Sequence, residues 1–169
     1  EGLVFVRNAL VGAGLKDQVK IVASGKIASG FHMIRALALG ADVCASARGM
    51  MFALGCIQAR RCNSNDCPVG VATQNLSLAR GLVPADKAQR VARYHHETIH
   101  AFLHLLAAGG FSHPDELGPQ HVMRRVAATD VRTLSQVYPF VDKGSLLDGS
   151  APAGLLGTWD AADSTRFGF

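Results

Sequence analysis

The sequence predicts an α/β fold in which parallel strands are joined by a helical crossover, and three observations lead there. "QVKIVASGK" is a short run rich in β-branched residues that stops at Gly25 and reads as a strand buried on both faces. "GFHMIRALALG" reads as a helix with Gly40 at its C-terminal cap, and "ADVCASARG" follows as a second short strand. Strands alternating with helices in this order belong to an open parallel sheet or to a (β/α)8 barrel. Two strands alone leave unpaired edges and bare faces. The rest of the sheet is therefore expected upstream, in a longer polypeptide, which agrees with a chain that opens on Glu1 rather than Met.

The flanking elements follow from periodicity. "GLVFVRNALVGAGL" places Leu3, Val6, Leu10 and Leu15 near one face of a leading helix that ends around Gly12 and Gly14. After the second strand, "RGMMFALGCIQAR" predicts a helix running into a cysteine-rich loop. "PADKAQRVARYHHETIHAFLHLLAAGG" predicts the longest helix, with Pro84 in its first turn and Gly109 and Gly110 closing it. Its apolar side reads as Ala88, Val91, His95, Ile99, Phe102 and Leu106, with Asp86, Arg90, Arg93 and Glu97 opposite. A shorter helix is expected over "HPDELGPQHVMRR" and one further turn over "TLSQVYPFV". From residue 146 onward Gly, Ser, Ala and Pro dominate and predict an extended or mobile arm. The organisation expected is thus a strand-bearing portion over 1–80, a helical extension over 81–145 and a tail over 146–169.

Composition narrows the function classes. The chain has 169 residues, 49% of them apolar, enough for a domain with a real core. Its net charge of +4 comes from scattered Lys and Arg with only 7% aromatic residues, so no nucleic-acid-binding stripe is encoded. Apolar runs such as "MIRALALGA" and "MMFALGCI" are too short to cross a bilayer. The opening residues lack a secretory signal pattern, which predicts a cytoplasmic protein with reduced thiols.

Two glycine-bearing turns follow the strands, "ASGKIASG" and "ASARGMM". Glycine lets backbone N–H groups approach an anion, a helix start adds partial positive charge, and Lys26 and Arg48 add donors, so both turns are candidates for holding a phosphate. Loop glycines and a loop lysine are also what any α/β turn contains.

The stretch "GCIQARRCNSNDCPVGVATQ" holds three of the four cysteines, spaced C-x5-C-x4-C with Pro68 after the last. Iron–sulfur ligation tolerates such spacing, and a proline after the last cysteine recurs in cluster loops. Three thiolates would suit a cluster of three irons, one per iron, with Arg60 and Arg61 offsetting the anionic charge. Structural zinc prefers closer pairs and needs a fourth ligand, for which Cys44 is the candidate though it sits mid-strand. A disulfide or inert thiols complete the alternatives.

Together, "GCIQARRCNSNDCPVGVATQ", "VASGKIASG", "ALALGAD" and "RGMMFALGC" resemble the flavin and iron–sulfur segments of the large subunit of glutamate synthase, and within that family the short, FMN-binding glutamate synthase-like proteins. The resemblance spans roughly residues 1–145 and is sharpest over 19–74. It implies the C-terminal part of a (β/α)8 TIM-type barrel followed by a mainly helical extension. It further implies that Cys56, Cys62 and Cys67 ligate a [3Fe-4S] cluster and that Ser24, Gly25, Lys26, Ser46, Ala47, Arg48 and Gly49 cradle the FMN phosphate. Two departures stand out: Ser24-Gly25-Lys26 replaces a commoner pair of glycines, and "CNSNDC" lacks the His that commonly follows the middle cysteine.

The implied activity is that of an oxidoreductase acting on CH–NH2 donors, which converts 2-oxoglutarate and ammonia through 2-iminoglutarate to L-glutamate, with an electron-donor protein or subunit as partner. Substrate-binding groups are expected on earlier barrel strands, so no catalytic residue is assigned in this segment, and alone it is expected to be inactive. The alternatives are another FMN-binding barrel oxidoreductase without glutamate synthesis, or a zinc-stapled helical interaction module. His96, His100 and His104 recur at four-residue intervals beside Arg93 and Glu97 and read first as a solvated face, second as a metal site. His95 reads as a packing or interface residue, Cys44 as a small buried hydrophobe near the flavin, and Met50 and Met51 as core.

Overall fold

The computed structural model describes residues 1–166. In order, α1 (Gly2–Gly12), β1 (Val22–Ser24), α2 (Gly30–Ala38), β2 (Val43–Ala45) and α3 (Arg48–Leu54) follow the sequence expectation, and β1 and β2 lie side by side in a two-stranded sheet. The chain continues through α4 (Leu76–Ala79) and the long α5 (Pro84–Ala108), then two 3-10 turns, the strands β3 (Met123–Ala127) and β4 (Asp130–Thr133), and the helices α6 (Leu134–Val137) and α7 (Ala153–Asp160). These elements form two compact units: Glu1–Ala23, Arg35–Val43 and the chain from Asp115 onward make one, and Ser24–Ile34 with Cys44–Pro114 make the other. Among the described residues no helix is long and apolar enough to cross a membrane.

The first unit is organised around α1. Its buried side is Val4, Asn8 and Gly12, one helical turn apart, whereas Val6 and Leu15, expected inside, are 46% and 43% exposed. The cover explains the rotation. The segment around residues 139–146 runs against α1, where Asn8 Nδ2 donates to the Pro139 carbonyl at 2.8 Å and the Gly144 and Leu146 amides donate to the Val11 and Gly12 carbonyls. A Cβ at Gly12 would lie 2.7 Å from Leu146 Cγ, so only glycine admits that approach. The Arg7 guanidinium stacks over the Phe140 ring at 5.0 Å, a cation–π contact. Asp42 closes the unit's other end, accepting the Ile21 N–H at 2.7 Å and the Lys16 ammonium at 2.9 Å.

In the second unit α5 is the spine. It buries much of the side its apolar pattern predicts: Phe102 and Leu106 are buried and Val91 and Ile99 half-buried, whereas Ala88 and His95 on the same side are exposed. The helix is held by two close approaches. Tyr94 Oη donates to the Ala28 carbonyl at 3.0 Å, and a Cβ on Gly30 would stand 2.4 Å from the Phe102 amide nitrogen, so α2 and α5 meet backbone to backbone.

Four expectations are corrected. The strand over Val22–Ser24 is not buried on both faces, since Val22 is 59% exposed and pairing ends at β2. α3 stops at Gly55, whose left-handed backbone (φ 103°) caps it before the cysteines, so the helix does not run into the loop. The helix expected over "HPDELGPQHVMRR" is two 3-10 turns, at Pro114–Glu116 and Pro119–His121, followed by β3, because each proline starts a turn anew. β3 pairs antiparallel with β4 from Met123↔Thr133 to Ala127↔Asp130 with an irregularity before Ala127. Finally, the tail carries α7 rather than an arm without structure; residues 167–169 of that predicted tail lie outside the described residues.

Candidate functional site

The two phosphate-candidate turns converge. Ser24 at the end of β1 with Gly25 and Lys26 following it, and Ala47, Arg48 and Gly49 at the start of α3, line one cavity of 540 Å³. Ser46, the seventh predicted residue, is not in that wall; its Oγ instead donates to the Ile27 carbonyl at 2.6 Å and ties one turn to the other. Gly25 (φ 101°) and Lys26 (φ 58°) are both left-handed. That conformation is ordinary for glycine and costs a lysine about 1–2 kcal/mol. Strain of this kind concentrates where a backbone is being aimed at something. Lys26 and Arg48 make no ion pair among the described residues, so the cavity carries two uncompensated cations.

Five further residues complete the wall: Ile27 and Ala28 of the first turn, and His32, Phe52 and Gln58, which lie outside both turns and which sequence reasoning missed. Gln58 belongs to the cysteine loop, two residues past Cys56, and its amide donates to Cys56 Sγ at 3.5 Å. Cavity and thiol loop therefore share a residue. A second cavity of 460 Å³ also includes Ala28, Gly49 and Phe52, and adds Arg90, Arg93 and Tyr94. Both arginines were assigned to the solvent side of α5 and both are exposed there; from that side they also line this cavity beside Tyr94, whose hydroxyl meets Ala28. The signal that could have found them is the helical step from Arg90 to Tyr94, which places one aromatic among the basic residues.

The cysteines differ sharply from one another. All four are free thiols, so no disulfide joins them. Cys67 is 7% exposed, and the backbone N–H groups of Ala72, Val69, Val71 and Gly70 around its sulfur hold the thiol below its ordinary pKa. This turn favours a thiolate. Cys56 is half-buried and Cys62 exposed. Cys44, in β2, goes the other way: burial pushes its thiol up, which suits a neutral hydrophobe rather than a ligand. Among the described residues no three His, Cys, Asp or Glu side chains converge as a set that could hold a metal ion, so Cys56, Cys62 and Cys67 share a loop without closing on a common point. Four zinc ligands are not gathered either.

The loop is nevertheless shaped. Gln58 (φ 57°), Arg60 (φ 54°) and Asn65 (φ 60°) are all left-handed. Asn65 anchors it, its side chain accepting the Gln74 amide and its carbonyl accepting Thr73 Oγ1 at 2.7 Å. Arg61 pairs with Asp66 at 2.8 Å, so of the two arginines expected to offset thiolate charge only Arg60 is left to do so. A tight, amide-rich turn around one sulfur, with two more thiols on the same loop, fits as a donor set for an anionic sulfur-bridged cluster.

Residues 1–112 match a family model described as a conserved region in glutamate synthase. The chain belongs to the glutamate synthase family. It is 42% identical over 123 residues to the glutamate synthase large subunit-like protein YerD of Bacillus subtilis, a match covering 73% of this chain and 23% of that protein. It is 36% identical over 104 residues to an archaeal glutamate synthase [NADPH] of Methanocaldococcus jannaschii, covering 62% of this chain and 20% of the relative. With the chloroplastic ferredoxin-dependent glutamate synthase 2 of Arabidopsis thaliana it shares 43% identity over 77 residues, which is 46% of this chain and 5% of the relative. The chain thus spans less than a quarter of the length of each of these relatives. The matched residues include both turns and the whole cysteine loop.

Proposed function

We propose that this chain supplies the FMN-phosphate cradle and the [3Fe-4S] ligand loop of a cytoplasmic glutamate synthase-like oxidoreductase, which reduces 2-iminoglutarate, formed from 2-oxoglutarate and ammonia, to L-glutamate. The observation that carries the reading is the cavity whose wall takes both glycine turns and, through Gln58, a residue of the cysteine loop. β1 and β2 are read as late strands of a (β/α)8 barrel, whose phosphate sites lie at such strand ends.

When bound, FMN supplies hydride to the imine carbon and the cluster supplies single electrons to the flavin. The chain's own residues position and tune. The backbone N–H groups of Gly25, Lys26 and Gly49 would hold the phosphate, and Lys26 and Arg48 would balance its charge. Ser46, by holding the Ile27 carbonyl, fixes the spacing between the two turns. Cys56, Cys62 and Cys67 would be the cluster ligands, and the backbone amides around Cys67 lower its thiol below the ordinary range, toward the thiolate a ligand must be. The electron donor is a separate protein or subunit, and 2-oxoglutarate is held by residues outside this segment.

The experiment is cofactor analysis of the intact protein purified without oxygen, together with an assay for glutamate formation from 2-oxoglutarate and ammonia. Iron, acid-labile sulfide and FMN bound together, with glutamate produced, support the reading; stoichiometric zinc without sulfide would overturn its redox half. Bound FMN without glutamate formation would overturn the substrate assignment. Cys67→Ser is expected to lose iron and sulfide while Arg48→Gln loses FMN.

A further inference from the structure

We propose that His100 and His104 form a two-ligand site for a borderline divalent transition ion such as Zn2+, Ni2+ or Co2+ on the exposed side of α5. The two residues lie one helical turn apart and both are exposed. Their Nε2 atoms stand 3.2 Å apart, with ring centroids at 4.3 Å and planes at 57°. Two metal–imidazole bonds of about 2.0–2.1 Å meeting at a tetrahedral angle put their nitrogens about 3.3 Å apart. The pair therefore already spans one edge of a coordination tetrahedron.

Without a metal, two imidazole nitrogens at this separation share one proton, one ring donating and the other accepting. The donating ring passes to its Nδ1–H tautomer by proton exchange with water, which leaves both Nε2 lone pairs for an ion of this class, at sites that are already in water and need little desolvation. Imidazole nitrogen on an exposed helix suits these borderline ions over Ca2+ or Mg2+, which take oxygen ligands.

His96 and Glu97 extend the stripe, giving the order His-Glu-x-x-His from residue 96 to 100. In zinc hydrolases that order puts two histidines on the metal and frees the glutamate as a base. Here the geometry differs. His96 Nδ1 meets Glu97 Oε1 at 3.2 Å, and the His96 ring lies parallel to that of His100 with centroids 6.2 Å apart. The nitrogens in chelating position belong to the next turn, and no three ligands converge among the described residues. The site thus supplies two protein ligands, with water in the remaining positions, and has no hydrolytic base.

Co2+ titration of the intact protein, followed by calorimetry and by absorption, tests the proposal, because thiolate ligation produces a sulfur-to-metal charge-transfer band and imidazole ligation does not. The expected result is one Co2+ per chain bound without that band. His100→Gln and His104→Gln each lower the affinity about tenfold or more, whereas His96→Gln leaves it unchanged. Helix content measured by circular dichroism stays the same in all three, and Co2+ raises the melting midpoint of the unsubstituted protein and of His96→Gln but not of the other two variants. Unchanged affinity in both the His100 and His104 variants, a sulfur band, or an equal loss in His96→Gln would each overturn the assignment.

Discussion

Lys26 occupies a left-handed backbone position that a glycine would hold without strain, so its two contributions oppose each other. Lys26→Gly should stabilise the fold by up to about 1 kcal/mol in denaturant titration, and should weaken FMN binding roughly fivefold through loss of the ammonium. A variant that gains stability with no loss of flavin affinity would remove Lys26 from the cradle. Asp42 gives a residue-scale prediction in the other unit. Burial pushes its carboxyl up, but the Ile21 N–H and the Lys16 ammonium outweigh burial and leave it below the ordinary carboxylate value. Its contribution is therefore fully present above an aspartate's unfolded pKa of about 4 and is lost as pH falls through the depressed native value. Asp42→Ala should cost about 1–3 kcal/mol near neutrality and flatten the acid limb of the stability curve, as thermal melts across pH would record. The residue types at the two glycine turns were a weak signal by themselves, because glycine and lysine after a strand are also what any α/β turn contains, and only the family resemblance singled them out. Asn8 gave no signal, since its burial depends on a carbonyl 131 positions away, and no local pattern marks a polar residue as buried.

At the scale of elements, the contact between α2 and α5 sets the shape of the second unit. A methyl group at Gly30 meets the Phe102 amide and the Ala101 carbonyl carbon, and backbone on both sides has no rotamer with which to yield. Gly30→Ala should therefore destabilise by about 3 kcal/mol and lower FMN affinity as the Tyr94–Ala28 contact shifts, readable by denaturant melts and flavin fluorescence. A substitution without effect on either would mean that α5 is not the spine. The longer helices were legible because apolar residues recur every three to four positions and glycine follows their ends, as in α2 and α5, whereas α4 and α7 were not read. The hairpin of β3 and β4 was not legible either. Its strands are almost wholly exposed, so no alternation was imposed by a core, and its turn residues Ala128 and Thr129 lack the Asn-Gly or Asp-Gly signal. Like-charged Arg124 and Arg132 even sit opposite each other, and Arg124 is drawn to the Tyr138 hydroxyl at 2.9 Å.

For the molecule as a whole, apolar surface remains in view: Val22, Val43 and Phe31 are 59%, 51% and 50% exposed. β1 and β2 form a sheet of only two strands, and free edges of this kind recruit other chains. The 169-residue chain expressed alone should associate with rising concentration, as light scattering after size exclusion would register; a monodisperse monomer at every concentration would contradict this. The cysteine loop was recognisable from spacing, but the left-handed residues that shape it were not, because only Asn65 among them is a type that favours that conformation. Nor is the family-matched region self-sufficient. It ends at residue 112, whereas the partners of Asn8, Val11 and Gly12 lie at Pro139, Gly144 and Leu146. On the ribosome, α1 is made ahead of those partners and must wait for them to be synthesised, on the order of ten seconds at ordinary elongation rates. Through that interval its inner side is available to chaperones, so a nascent chain stalled before Pro139 should be held by them, and one released after Leu146 should not.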